Sequence, residues 1–158
     1  MDLPQVDWEA TDQYYEYYHG YARLDKNGVK PLIPYGFGLS YTSFDCSVPE
    51  VSLEGEELVA RLSVRNTGDR SGDEIIQLYV GCNSTAVDRP LRQLKGFARV
   101  HLEAGESRPV ELRVPLEKLK WYDPVHRQWK LESTDYTVYT GASEALEDLK
   151  SVEIHLGD

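Results

Sequence analysis

The 158-residue sequence predicts an all-β protein, an antiparallel β-sandwich of about seven strands that follows an irregular, aromatic-rich tail. After residue 45 apolar residues alternate with polar ones, which is the period of half-buried strands. Turn-forming residues separate these segments at the spacing typical of a two-sheet sandwich. Roughly 100 to 120 residues suffice for such a sandwich, so the chain has room for a leading segment as well. We therefore divide it into a tail, residues 1–44, and a sandwich, residues 45–158.

The tail is rich in Tyr, Pro and Gly and shows no regular period. A short helix is predicted over residues 11–21, capped by Thr11 or Asp12 and ending near Gly20. This segment is too short to bury its own aromatic side chains, so we expect it to lie against a larger surface. The candidate residues for a domain interface or for stacking on sugar rings are Trp8, Tyr14, Tyr18 and Tyr21.

The alternating pattern after the tail defines each strand in turn. The predicted strands cover residues 46–53, 58–65, 76–80, 94–102, 110–114, 136–138 and 152–156. Asn66-Thr67-Gly68-Asp69 supplies turn chemistry after the second of them. His155 alternates with the apolar residues of the last strand, and we expect it to face solvent.

The charge balance argues against several classes of partner. With 27 acidic and 17 basic side chains, the formal net charge is −10. Such a chain repels phosphate backbones and anionic lipid headgroups, so neither nucleic acid nor a membrane surface is an expected partner. No apolar run approaches membrane-spanning length, and the first residues do not resemble a signal peptide. A neutral sugar or another protein remains compatible with this composition.

The sequence contains no compact catalytic or metal-binding motif. Glycoside hydrolysis usually requires two carboxyl groups held across the scissile bond, but the acidic pairs here, such as Asp73-Glu74, occur in turn-like contexts typical of surface charge. The four histidines form neither a His-x-His nor a His-Glu-x-x-His pair, so no metal site and no cofactor are expected. Cys46 and Cys82 are expected to be free thiols rather than a disulfide.

The tyrosine-rich tail leaves two functions open. Aromatic planes pack against the C–H faces of sugar rings, so the tail is compatible with a carbohydrate-binding strip. Packing of the same rings against a neighbouring domain is the favoured interpretation, because adjacent tyrosines on a regular element point in different directions. A cell-surface interaction module is a further alternative, since this fold serves many functions.

Several separate segments resemble glycoside hydrolase family 3, and they occur in the order found in that family. The matching segments are residues 20–28, 30–44, 64–74, 77–80, 89–90, 94–97, 102–107, 121–123 and 136–143. The segment 30–44 resembles the signature that closes the α/β sandwich domain and opens the C-terminal fibronectin type III-like domain. Its signature residues are Pro34, Gly36, Gly38, Leu39 and Tyr41.

The resemblance implies a fibronectin type III-like sandwich and a parent enzyme that acts on β-glucosides or related β-glycosides. In this family the catalytic residues lie upstream of every segment matched here. The chain alone is therefore expected to be a non-catalytic accessory domain that packs on the catalytic domains, with polysaccharide as a further partner of the alternative function. An isolated chain is expected to form a homodimer or to leave residues 1–20 disordered.

Overall fold

The computed structural model describes residues 9–12, 14 and 16–157. It confirms the predicted fold class, because two antiparallel four-stranded sheets form a sandwich. The helix α1 spans Gly20–Lys26. The strands are β1 Phe44–Cys46, β2 Glu50–Glu54, β3 Glu57–Asn66, β4 Gly72–Cys82, β5 Gln93–Leu102, β6 Ser107–Pro115, β7 Trp121–Asp123, β8 Gln128–Lys130, β9 Thr134–Gly141 and β10 Leu149–Leu156.

The first sheet is built around β3. The strand β6 pairs with one edge of β3 from Glu57 to Arg65, while β1 and β2 pair with β3 in separate registers. The second sheet has the order β10-β9-β4-β5, which places β4 in its interior. A third, two-stranded sheet consists of β7 and β8.

The core lies between the two four-stranded sheets. Alternate residues of β3, from Leu58 to Val64, are buried, as the sequence period predicts. They form one apolar cluster with Ile76, Leu78 and Val80 of β4, together with residues of β5, β6, β9 and β10. His155 is exposed on β10, which confirms its predicted direction, and it lies 2.8 Å from Asp135.

The predicted helix over residues 11–21 is wrong. Within this segment the described residues before Gly20 are not helical, and the helix begins at Gly20. Gly20 has a φ of +54°, a left-handed conformation that a right-handed helix from residue 11 cannot continue through. The helix ends instead at Lys26, with Asn27 as its C-cap and Gly28, which also has positive φ, as the next residue.

The single strand predicted over residues 46–53 is replaced by two, β1 and β2. Pro49 lies between them, and because proline lacks a backbone N–H it cannot donate to the ladder. The short strands β7 and β8 were not predicted, since three-residue strands carry too little alternation to show a period.

Candidate domain-docking interface

The outer face of the second sheet carries the candidate interface. Successive side chains of β4 point to opposite faces of the sheet. Those of Ile76 and Leu78 point into the core, so those of Ile75, Gln77 and Tyr79 point outwards. The register pairs Gln77 with Phe97, so that Phe97 lies on the same face. Gln77 and Tyr79 are buried although they point outwards, while Phe97 is 69% exposed. The linker, which we define as residues 27–43, lies over Gln77 and accounts for the burial of this side chain.

Gly36 lets the linker approach the sheet closely. Its φ is +88°, and a β-carbon built on it would lie 1.8 Å from Nε2 of Gln77. The Gln77 amide donates to the carbonyl of Ala142 at 2.9 Å, and its oxygen accepts a bond from the Tyr79 hydroxyl. Only glycine satisfies both the backbone conformation and the available space here.

A second anchor holds the end of the linker. The fully buried Asn66 accepts a hydrogen bond from the Thr42 hydroxyl at 2.6 Å. Its amide nitrogen donates to the carbonyls of Arg70 and Leu102, at 2.6 and 3.2 Å. The same side-chain oxygen accepts from the Gly68 N–H, so the turn predicted at residues 66–69 also fastens the linker.

The helix α1 is tied to the loop that precedes β5. Asp25 accepts a hydrogen bond from the Arg92 guanidinium at 2.8 Å, and the Arg92 side chain is only 7% exposed. The same guanidinium lies 5.8 Å from the centre of the Tyr139 ring. This buried ion pair fixes the helix against the outward-facing side of β9.

A second cluster joins the tail to the same loop. Asp88 accepts hydrogen bonds from the Tyr18 hydroxyl at 2.7 Å and from the Lys26 ammonium at 2.8 Å. The Lys26 ammonium also lies 3.6 Å from the centre of the Tyr18 ring. The hydrogen bond from Lys26 and then that from Tyr18 lower the pKa of Asp88.

The linker also contacts the loop after β9. Glu144 donates its backbone N–H to the Tyr35 carbonyl at 2.8 Å, and its buried side chain lies near the Tyr35 N–H. Burial raises the pKa of the Glu144 carboxyl. Lys30 forms an ion pair with Glu147 at the exposed edge of this contact.

Several large apolar side chains of this region are exposed. We define the docking face by the large side chains that the linker and the second sheet expose together: Tyr35, Phe37, Ile75, Leu94 and Phe97. The linker exposes further apolar side chains at Leu32, Ile33, Leu39 and Tyr41. A recess of about 340 Å³, lined in part by Tyr35, Tyr79 and Leu94, opens beside the docking face.

The predicted tail residues divide into two groups. Tyr18 contacts Asp88, and Tyr21 donates to the Ile33 carbonyl at 3.1 Å while its ring meets that of Tyr35 edge-on at 6.0 Å. Tyr14 is exposed. Trp8 lies outside the described residues.

The signature residues have distinct surroundings. Gly36 contacts Gln77, and Pro34 lines a recess of about 360 Å³ beside α1. Gly38, Leu39 and Tyr41 are exposed.

Sequence reasoning missed Ile75 and Phe97. Both had a visible signal, because each is an apolar residue at an outward position of an otherwise alternating strand.

The remaining titratable groups do not converge on a metal site. In the part of the chain that the structure describes, no group of three or more His, Cys, Asp or Glu side chains is placed to hold a metal ion. Cys46 and Cys82 are free thiols, as expected. None of the described helices is long and apolar enough to cross a membrane.

Comparison with known proteins agrees with this architecture. The fibronectin type III-like domain family matches residues 74–144. The chain is 42% identical over 140 residues to the probable β-glucosidase I of Emericella nidulans, a match that covers 82% of this chain and 17% of that protein.

Two solved structures show the same relationship. A β-glucosidase from Streptomyces venezuelae, solved with D-glucose, matches with a TM-score of 0.80 and 37% identity over 87% of this chain and 18% of its own. A family 3 β-glucosidase of Bifidobacterium adolescentis matches with a TM-score of 0.81 and 32% identity, over 87% and 20% of the two chains. The chain thus spans about a fifth or less of these relatives. It carries a fibronectin type III-like domain and is homologous to the corresponding segment of glycoside hydrolase family 3 β-glucosidases.

Proposed function

We propose that the chain acts as a non-catalytic accessory domain of a family 3 β-glucosidase and packs on the catalytic domains through the docking face. The observation that carries this proposal is the outward-facing apolar surface formed by the linker and the second sheet. Large exposed apolar side chains grouped on one face of a soluble domain are typical of an interaction site. Tyr and Phe are among the residues enriched at the centre of such interfaces.

The anchoring of the linker supports the same function. Gly36 and Thr42 hold it at two points, so its exposed side chains are already positioned before a partner arrives. A preorganised surface loses less conformational entropy on binding than a mobile segment does. The closely fastened helix α1 extends this ordered surface.

The surroundings of Asp73, Glu54 and Glu57 favour a non-catalytic domain. Asp73 pairs with Arg99 at 2.9 Å and with His101 at 3.2 Å on the exposed face of the second sheet. Glu54 and Glu57 pair with Arg113 at 3.1 and 3.3 Å on the first sheet. Each of these carboxylates is engaged by a cation on another strand of the same sheet, as in an ordinary surface ion-pair network.

The contacts of Tyr18 do not favour the alternative of a sugar-binding strip. The hydroxyl of Tyr18 is used by Asp88, and its ring is covered on one side by Lys26. Tyr18 therefore helps to attach the tail to the sandwich.

Complementation of a truncated relative tests the proposed function. The probable β-glucosidase I of Emericella nidulans would be produced without the segment that matches this chain, and its hydrolysis of an aryl β-glucoside would be measured with and without the intact chain. We expect the added chain to bind the truncated enzyme and to raise its activity or its thermal stability. Hydrolysis by the chain alone would contradict the proposal, as would a truncated enzyme that neither binds the chain nor responds to it.

A further inference from the structure

The loop after β4 carries the one N-glycosylation sequon of the sequence. The chain has three asparagines, and only Asn83 is followed two residues later by a hydroxyl side chain, in the triplet Asn83-Ser84-Thr85. Asn27 and Asn66 have valine and glycine at that position instead. The middle residue of the triplet is serine and not proline, as the sequon requires. Such triplets also occur by chance in proteins, so the position of Asn83 in the fold matters.

The triplet lies in exposed, irregular chain. The strand β4 ends at Cys82 and β5 begins at Gln93, and residues 83–92, all of which the structure describes, form no strand or helix. The three residues of the sequon are all exposed. N-linked glycans are bulky and are carried by surface loops of this kind. The sequon is therefore accessible to a modifying enzyme.

The amide of Asn83 can accept a sugar without losing its contacts in the fold. Its nitrogen Nδ2 donates a hydrogen bond to the Glu153 carboxylate of β10 at 2.9 Å, and its oxygen accepts one from the Thr137 hydroxyl of β9 at 2.7 Å. Thr137 and Glu153 are directly opposite each other in the β9–β10 register. An asparagine amide carries two N–H groups, so one can be replaced by a sugar while the other keeps its bond to Glu153.

We propose that Asn83 is an acceptor site for an N-linked oligosaccharide. In this transfer Nδ2 of Asn83 forms a bond to the anomeric carbon of a lipid-linked oligosaccharide, and the bond from that carbon to the pyrophosphate oxygen breaks. The lipid pyrophosphate leaves with the bonding electron pair, and the amide nitrogen loses one proton to the enzyme. An oligosaccharyltransferase of a secretory pathway supplies this reaction and requires the hydroxyl of Thr85.

The position of Asn83 separates the glycan from the docking face. The second sheet has the order β10-β9-β4-β5, and the Asn83 amide contacts side chains of β9 and β10. Leu94 and Phe97 of the docking face lie on β5, at the opposite edge of the sheet. Ile75 lies near the start of β4, roughly 25 Å along the strand from Asn83. No residue of the docking face takes part in this site, so the inference stands independently of the proposed function.

Production of the intact chain in secreting yeast cells tests the site. The chain would carry a cleavable secretion signal, and its intact mass would be measured before and after treatment with peptide N-glycosidase F. We expect an added oligosaccharide mass that the enzyme removes. Because the enzyme converts the modified asparagine to aspartate, deglycosylation in heavy-oxygen water should label the tryptic peptide that contains Asn83.

Three variants assign the added mass to this sequon. Asn83→Gln and Thr85→Ala should each abolish it, because the first removes the acceptor side chain and the second removes the hydroxyl. Ser84→Ala leaves the sequon intact, so it is the matched control and should retain the added mass. Cell lysates would be measured together with the medium, so that a variant retained in the cell through poor folding is still scored.

A wild-type chain that is secreted without an added mass sensitive to the glycosidase would overturn the proposal. Persistence of that mass in Asn83→Gln would also overturn it, because the glycan would then lie elsewhere.

Discussion

Gly36 lies directly against the side chain of Gln77, although 41 positions separate them in the sequence. This contact explains why Gln77 is buried on the outer face of a sheet where Ile75 and Phe97 are exposed. It also fixes where the exposed side chains of the linker stand relative to Ile75 and Phe97. The docking face therefore depends on Gly36, because the absence of a side chain there lets the linker lie against the sheet.

Replacement of Gly36 by alanine should destabilise the domain by roughly 2 to 4 kcal/mol, because a β-carbon adds both backbone strain and a steric clash. Urea denaturation followed by fluorescence measures this change. The matched control is Gly38→Ala, since Gly38 has no positive φ and no atom within 4 Å of the added carbon. Equal stability of the two variants would show that the linker does not lie on Gln77.

Replacement of Asp25 by asparagine should cost about 1 to 3 kcal/mol, because it removes the carboxylate that is hydrogen-bonded to the buried Arg92 guanidinium. Denaturation of Lys30→Met provides the comparison. The Lys30–Glu147 pair is exposed, and its loss should change stability by less than about 1 kcal/mol. A larger effect of Lys30→Met than of Asp25→Asn would contradict this ranking.

The stability of the domain should depend on the ionisation of Asp123. Hydrogen bonds from Lys130 and then from His126 hold the pKa of this carboxyl well below its usual range. A carboxyl with a lowered folded-state pKa contributes stability above its unfolded pKa of about 3.9, and this contribution is lost as the pH falls towards the folded-state value. The stability advantage of the wild type over Asp123→Asn should therefore be full at pH 6 and shrink below about pH 4.

Urea midpoints of both proteins between pH 7 and pH 2.5 measure this difference. Asp69→Asn, which makes the same substitution at an exposed turn position, serves as the control. A wild-type advantage over Asp123→Asn that grows as the pH falls would contradict the assigned role of Asp123.

The Cys46 thiol should react slowly in the folded protein. Burial raises its pKa to about 11, so that at pH 8 about one thiol in a thousand is ionised. Alkylation by iodoacetamide in a Cys82→Ser background should therefore be roughly one hundredfold slower in buffer than in urea. Equal rates under the two conditions would show that Cys46 is not buried.

Part of this structure follows from local sequence patterns, and part does not. The alternation from Leu58 to Val64 predicts both the strand β3 and the face that it buries, because a strand repeats every two residues. The missed interruption at Pro49 also has a local cause, since proline lacks the N–H that a continuous ladder needs.

The candidate interface depends on contacts that have no local signal. Nothing near Gly36 indicates that Gln77 will be its neighbour, and nothing near Asp25 indicates Arg92. Such pairings arise from the tertiary path of the linker. The apolar residues Ile75 and Phe97 indicate the docking face in the sequence, but only when it is known which residues of each strand point outwards.

The most direct test of the docking face is complementation by a chain with Ile75→Asp and Phe97→Asp. Both side chains are exposed, so the variant should unfold at nearly the wild-type urea concentration. Val48→Asp, which places the same charge at an exposed position near the first sheet, is the control. The account predicts that the double variant binds the truncated Emericella nidulans relative about tenfold or more weakly, and stimulates it less, while Val48→Asp matches the wild type. Wild-type binding and stimulation by the double variant would contradict it.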